Sequence, residues 1–304
     1  MESAVNINDQ MAGWGCKWPA PAKINLMLRI TGRRADGYHN LQTVFQLLDL
    51  CDWLTFYPDE SGRVRLRTPT PNVPETEDLT VRAAQLLKSH TACRHGVVIE
   101  LEKHLPMGGG LGGGSSDAAT VLVVLNRLWG VNLPQEELQA LGLQLGADVP
   151  IFVYGHSAWA EGVGEKLAYI DVPEKWMVII KPDCHVNTGQ IFSAEELTRN
   201  SNSITMQDFI AGDECNDCTA VVSKLYPPVQ SAIDALSVYS KARLTGTGAC
   251  VFALFDTEHD ARAACQSLSK DWSVFLAKGM NQSLLYKQLG QGNVEFSNWA
   301  VAKR

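Results

Sequence analysis

Four stretches of the chain carry residues whose types and spacing could do chemistry. The densest is PMGGGLGGGSSDAA, residues 106–119, where six of the seven positions from 108 to 114 are glycine. Glycine lets the backbone take a positive φ and lets an anion approach the N–H groups. The apolar, Ala-rich run Ser115–Trp129 that follows predicts a helix, with Gly130 as its C-terminal cap. The N-terminus of such a helix adds unpaired donors and a partial positive charge. Ser115 and Ser116 add hydroxyls suited to capping, phosphate or magnesium. A flexible linker would have unpatterned polar flanks, whereas Met107 and Leu111 interrupt these glycines and strand and helix signals abut them. The loop is therefore expected to bind an anion. A Walker loop closes on Gly-Lys-Ser/Thr, but this cradle has no lysine, so the positive charge must arrive from elsewhere.

Two other stretches offer charge and a base. In PAPAKINLMLRI, Ile24, Leu26, Leu28 and Ile30 alternate with Lys23, Asn25, Met27 and Arg29, the period of a half-buried strand. Lys23 and Asn25 then share one side. From these residues alone they read as a solvent-facing pair, or as a cation beside an amide in a site. Asp148, in LGADVP, reads from these residues alone as a turn aspartate before a strand, since Pro150 forbids a continued helix. The fourth stretch, RLTGTGACVF at 243–252, is a glycine turn before a strand at Val251–Phe255. Cys215 and Cys218 form one CxxC without a second pair or nearby histidines, so no metal site is expected there.

The elements that must hold these residues alternate throughout. Strands are expected at Pro19–Ile30, Leu41–Tyr57, Val64–Leu66, Val97–Leu101, Met177–Lys181 and Val251–Phe255. Asp36-Gly37 marks a turn, and Ile151–Tyr154 with Ser157–Ala160 read as a hairpin about Gly155-His156. Helices are expected at Val81–Leu87, Pro134–Leu145, Gln190–Arg199, Asp217–Lys224, Val229–Leu236 and 257–268. This is an α+β pattern in both halves. A chain of 304 residues suits two domains, and a break is expected at Asp171–Lys175.

Bulk properties exclude some classes. Hydrophobic content of 45% and charged content of 19% predict a packed core. The net charge of −7 argues against nucleic acid or anionic membrane as the main partner, and no apolar run is long enough to span a bilayer. Residues 1–17 lack the basic start and apolar core of a signal peptide and read as a flexible leader. Scattered cysteines fit reduced thiols, and a cytoplasmic location is expected.

The glycine stretch resembles the phosphate-binding motif of the GHMP small-molecule kinases, which runs Pro-x-x-x-Gly-Leu-Gly/Ala-Ser/Gly-Ser-Ser and carries no Walker lysine. PAPAKINLML resembles that family's first motif, LGADVPIFV the segment of its catalytic aspartate, and RLTGTGACVF its third, glycine-rich motif. The similarity runs from about Trp18 to Leu284. It is densest to the branch that phosphorylates 4-diphosphocytidyl-2-C-methyl-D-erythritol, for which Asp36-Gly37-Tyr38-His39 is the discriminating piece. The alternatives are another GHMP kinase, of homoserine or mevalonate type, or a nucleotide-binding regulator without catalysis.

The resemblance implies a two-domain GHMP fold, with a ribosomal-protein-S5-domain-2-like N-terminal domain at 18–172 and a ferredoxin-like C-terminal domain at 173–285. Residues 1–17 and 286–304 would be tails. It implies ATP as co-substrate with Mg2+, Ser116 being the metal ligand expected. Lys23 would polarise the acceptor hydroxyl, and Asp148 would accept its proton or orient it. ATP would lie on Lys103, Pro106, Met107 and Gly108, then along Gly109, Gly110, Leu111, Gly112, Gly113 and Gly114 to Ser115 and Ser116. The acceptor, a small molecule carrying a cytidine diphosphate group, would meet Asn25, Tyr38, His39, Thr188 and Phe192, and the backbone of Gly246, Thr247 and Gly248. Tyr38 would stack on the cytosine, His39 would bond its edge, and Phe192 would cover the opposite face. No nucleic acid, membrane or obligate protein partner is implied.

Two residues depart from the family pattern. Asp78-Leu79 stands where Asn-Leu is more usual, which exchanges a donor for an acceptor. Asp117 follows the two serines and would repel phosphate unless magnesium or a backbone cap balanced it.

Overall fold

The structure, a computed structural model, describes residues 13–70 and 73–291. The first half contains strands β1 (Lys17–Arg33), β2 (His39–Asp59), β3 (Val64–Leu66), β4 (Gly96–Glu102), β5 (Ala158–Gly162) and β6 (Lys166–Tyr169). Its helices are α1 (Leu79–Thr91), α2 (Gly113–Leu128), α3 (Gln135–Leu145) and α4 (Val149–Tyr154). The second half contains β7 (Trp176–Lys181), β8 (Ala242–Leu244), β9 (Val251–Phe255) and β10 (Ser273–Met280). Between and after them run α5 (Thr188–Ser193), α6 (Met206–Ile210), α7 (Thr219–Leu225), α8 (Pro227–Ser237), α9 (Glu258–Leu268) and α10 (Leu284–Gln291).

β2 organises the first half, pairing antiparallel with β1, β4 and β5. Helices α1–α4 bury Leu87, Leu122, Leu125, Leu141 and Phe152 against Leu47, Leu54 and Phe56 of β2 in one core. In the second half the order β10-β7-β9-β8 is antiparallel throughout, the arrangement of a ferredoxin-like βαββαβ unit. The end of β10 also pairs with β2, Met280 opposite Leu47, so one sheet runs through both units. A further apolar cluster joins Ile24, Met27, Leu48 and Leu111 to Met177, Ile179 and Phe252 across the two units.

That junction corrects the half-buried reading of the first strand. Lys23, Asn25 and Met27 are buried as thoroughly as Ile24 and Leu28, because the second unit covers the face that would otherwise meet water. The β1–β2 register breaks between Pro21 and Lys23 and again between Asn25 and Met27. Proline has no N–H to give to the ladder, and such bulges re-aim the backbone. Here the N–H of Lys23 donates to the Leu111 carbonyl at 3.0 Å, and the N–H of Asn25 donates to Thr245 Oγ1 at 3.0 Å. The irregular strand thus ties both glycine loops to itself.

Three local expectations are corrected. Residues 149–154 form α4 rather than the first arm of a hairpin, with Pro150 in the first turn, where its fixed φ is preorganised for a helix. The helix expected over Gln190–Arg199 is only the short α5, capped by Asn187 and ended by extended backbone at Ala194. The expected tails, 1–17 and 286–304, reach into the packed part of the chain. Trp14 packs on the first core, the Gly15 N–H donates to the Phe56 carbonyl, and α10 buries Leu285 and Leu289 there. The remaining tail residues, 1–12 and 292–304, lie outside the described residues. The expected division near residue 173 falls between β6 and β7.

Candidate active site

Two cavities meet across the glycine loop. One, of about 580 Å³, lies between the β1–β2 turn, the glycine loop, the start of α5 and residues 246–248. The other, of about 460 Å³, lies between the glycine loop, the start of α1 and Lys103. Gly108, Gly110, Ser115 and Asp148 border both. A group passing between the cavities must cross at these four residues.

The loop enters α2 without a side-chain cap: Gly112 is the N-cap, in the left-handed region at φ 74°. A Cβ there would lie 2.8 Å from the Phe152 ring and 3.3 Å from Lys23 Cε, so the loop lies directly on the lysine stem. The first-turn N–H groups of an α-helix have no intrahelical partner, and here they face the second cavity with no side chain competing for them. The carbonyl of Gly109 accepts from the Cys250 N–H at 3.0 Å, which docks the loop against the 246–248 turn. Leu111 is the apolar peg of that docking, whereas Met107 is exposed at the cavity rim.

Lys23 and Asp148 meet at this crossing. Lys23 Nζ lies 3.1 Å from Asp148 Oδ2 and donates to Asn25 Oδ1 at 2.9 Å. The lysine side chain is 3% exposed and the aspartate 38%, so a desolvated ammonium is presented through a carboxylate that fronts open space. The ammonium also stands 5.2 Å from the Phe45 ring centre, a favourable cation–π placement. Asn25 Nδ2 donates to Thr43 Oγ1 at 2.8 Å, and that hydroxyl donates to the Met27 carbonyl at 2.6 Å, which fixes the amide orientation. Asp148 precedes α4, not the strand expected, and makes no capping bond, so its carboxylate is free for other work.

At the far end of the first cavity, Tyr38 sits in the β1–β2 turn and is 65% exposed. His39 begins β2 and is buried, its ring stacked on Phe192 with centres 5.1 Å apart and planes 25° apart. Burial, then Arg199 and Arg33, hold the imidazole below the usual histidine range. Thr188 Oγ1 and Thr247 Oγ1 are 2.8 Å apart and close the cavity wall between α5 and the turn at Gly246, Thr247 and Gly248.

Two residues expected at the nucleotide have surroundings of their own. Lys103 borders the second cavity, but its ammonium pairs with Asp52 and, at 2.7 Å, with Asp117. Burial opposes that charge, yet Asp117 and Asp52 outweigh it and raise the lysine pKa. Asp52 also accepts from the N–H groups of His104 and Leu105 at 2.5 and 2.7 Å, anchoring the approach to the glycine loop. One ammonium faces two buried carboxylates, and burial pushes Asp117 up to about 7. Lys103 is thus the cation beside Asp117 within the chain itself, bonded to Oδ2, while Oδ1 has no partner among the described residues. Ser116 is fully buried and borders neither cavity, and its N–H is spent on the Gly112 carbonyl. Its hydroxyl is buried without a hydrogen-bond partner among the described residues. Ser115, one residue earlier, borders both cavities.

Asp78 has a structural role. Its carboxylate caps α1, accepting from the Thr80 N–H at 2.9 Å, Thr80 Oγ1 at 2.5 Å and Thr70 Oγ1 at 2.6 Å. Asp78→Ala is expected to lower stability by about 1–2 kcal/mol through loss of the cap. Thermal unfolding checks this, and an unchanged melting temperature would remove the cap from the account.

Sequence reading missed Thr43, Phe45, Asp52 and Arg199, which carry no motif and act by long-range contact. The Cys215–Cys218 turn is structural: the Cys215 carbonyl accepts from the Leu28 N–H and Asp217 Oδ2 from the Ile30 N–H, which clamps β1. Among the described residues no cluster of three or more His, Cys, Asp or Glu side chains is arranged for a metal.

Residues 78–156 match the family model of the GHMP kinases N terminal domain, and residues 195–274 match that of the GHMP kinases C terminal region. The 4-diphosphocytidyl-2-C-methyl-D-erythritol kinase of Methylococcus capsulatus is 56% identical over 274 residues, covering 90% of this chain and 94% of its own length. The kinase of the same name from Nitrosococcus oceani is 54% identical over 268 residues, covering 88% of this chain and 96% of its own. The crystal structure of a 4-(cytidine 5'-diphospho)-2C-methyl-D-erythritol kinase superposes with a TM-score of 0.77 at 32% identity, covering 87% of this chain and 99% of that one. A mevalonate kinase superposes with a TM-score of 0.65 at 16% identity over 88% of this chain and all of its own, which shows the shared fold.

Proposed function

The chain belongs to the GHMP kinase family, and from that premise we infer that it transfers the γ-phosphate of ATP to the 2-hydroxyl of 4-diphosphocytidyl-2-C-methyl-D-erythritol, a step of non-mevalonate isoprenoid precursor synthesis. The observation that carries the chemistry is the Lys23–Asp148 pair at the crossing of two cavities. ATP lies in the second cavity with its phosphates on the uncapped start of α2. The acceptor lies in the first, with its erythritol hydroxyl beside Lys23.

In the transfer, a lone pair of the acceptor oxygen forms the new bond to the γ-phosphorus. The bond from that phosphorus to the β,γ-bridging oxygen breaks, and ADP leaves with its electron pair. Asp148 accepts the hydroxyl proton, while the Lys23 ammonium stabilises the charge left on oxygen. Asn25, fixed by Thr43, aims the ammonium. Much of phosphoryl transfer is positioning and charge stabilisation, and the four shared residues supply the position. Ser115 and Asp148, which border both cavities, offer the oxygen ligands that would hold a magnesium ion, and the ion would supply neutralisation of the triphosphate charge.

Tyr38 stacks on the cytosine, and the His39–Phe192 pair bounds the base site. The described cysteines are all free thiols, which fits a reducing cytoplasm. The base reading is tested with Tyr38→Ala. Stacking is worth roughly 1–3 kcal/mol per base, so KM for the cytidyl acceptor should rise about 10–100-fold with KM for ATP little changed. Steady-state kinetics with each substrate varied in turn checks this, and an equal rise for both would overturn it.

A further inference from the structure

Arg199 borders neither cavity, yet it touches the base site through His39. Its Nε donates to His39 Nε2 at 3.3 Å. Its Nη2 donates to the carbonyls of Phe192 and Ala194 at 3.0 and 2.6 Å, and its Nη1 to that of Leu197 at 3.1 Å. The guanidinium is thus caged by the end of α5 and the chain after it, the same stretch that supplies the Phe192 ring stacked on His39. The Phe192 and Ala194 carbonyls are ones that the helix expected over 190–199 would have used internally.

The cage has a chemical consequence. Every guanidinium nitrogen is a donor and none accepts, so the imidazole nitrogen facing Arg199 must offer its lone pair. A neutral imidazole carries one proton, which then sits on Nδ1. Among the described residues Nδ1 has no hydrogen-bond partner, and it is not sealed from solvent. His39 borders the first cavity, with its ring plane held by Phe192.

We propose that Arg199 is a positioning residue for base selection: by occupying His39 Nε2 it holds the proton on Nδ1, so that the cavity offers an N–H donor to the base edge. Cytosine carries an unprotonated N3 and an O2, both acceptors. Uracil carries N3–H, which would meet that donor head-on. The fixed tautomer therefore selects cytosine over uracil by leaving the wrong base with an unpaired donor. The proposal rests on the reading that a cytidine diphosphate end occupies this cavity. The depressed pKa of His39 agrees with a neutral ring.

The test is the two-bond ¹H–¹⁵N spectrum of histidine-labelled protein at neutral pH, with His39 assigned through His39→Gln. His39 should show the Nδ1–H tautomer in the parent, although free imidazole favours Nε2–H. Arg199→Met should move it toward Nε2–H, and Arg199→Lys, which keeps a donor, should restore Nδ1–H. In kinetics, the preference for the cytidyl over the uridyl form of the acceptor should fall about tenfold in Arg199→Met through KM for the cytidyl form. KM for ATP should stay near the parent value. A parent His39 protonated on Nε2, or on both nitrogens, overturns the proposal, as does an equal KM rise for ATP and acceptor. If Arg199→Met does not fold, the parent spectrum still decides the tautomer. Absence of turnover with the cytidyl acceptor in the parent would overturn the substrate reading separately, with the spectrum unaffected.

Discussion

Asp148→Ala is expected to lower kcat by about a thousand-fold, the scale of removing a positioned acid–base group. The fold should survive. Asp148 makes no capping bond at α4, and its side chain faces the cavity. The change does strand Lys23, whose ammonium keeps only Asn25 Oδ1 and the Phe45 face. Because the pair is open to water on the aspartate side, that loss is screened, and the melting temperature should fall by no more than about 4 °C. Asp148→Asn separates two roles. An amide oxygen still accepts from Lys23 and orients it but takes no proton. A kcat as low as that of Asp148→Ala assigns proton acceptance to the carboxylate. A kcat near the parent value assigns it orientation alone. A near-normal rate in Asp148→Ala would remove the residue from the chemistry.

Gly110→Ala is the second large effect. Gly110 has φ 78°, and a Cβ there would lie 2.9 Å from the carbonyl oxygens of both Thr245 and Gly248. Those are backbone atoms of the opposing turn and cannot swing aside. The left-handed conformation adds a cost of roughly 1–2 kcal/mol for a residue with a Cβ. Relief requires the two glycine loops to separate, which shifts the phosphate cradle relative to Lys23 and Asp148. A misplacement of about 1 Å can cost about a hundred-fold in rate, so kcat/KM should fall at least that far for both substrates. Steady-state kinetics with thermal unfolding checks it. Retained rate with retained stability would show that the loops need not touch.

What the sequence revealed and what it hid divide along physical lines. Glycine spacing beside a strand and an apolar helix marked the cradle, because backbone donors need no partner elsewhere in the chain. The shared side of Lys23 and Asn25 followed from strand period alone, and their 2.9 Å contact bears it out. Their burial did not follow, because it depends on the second unit closing over β1, which no local pattern encodes. The short α4 was hidden since VPIFVY reads as strand by composition, and packing against α2 and α3 decides otherwise. The surroundings of Ser116 and Lys103 are set by tertiary packing that no motif spells out. Ser116 is buried in the first turn of α2 with its hydroxyl unpartnered, and Asp52 and Asp117 hold Lys103. Asp52 and Arg199 had no signal, being single residues whose partners lie far along the chain.

The central claim is that this active site phosphorylates an acceptor bearing cytidine diphosphate. The most direct measurement follows ADP release from ATP with 4-diphosphocytidyl-2-C-methyl-D-erythritol, mevalonate or homoserine as acceptor. Turnover is expected with the cytidyl acceptor, about a thousand-fold slower in Asp148→Ala, and only background release with the other two. No turnover with the cytidyl acceptor, or equal turnover with all three, would contradict it.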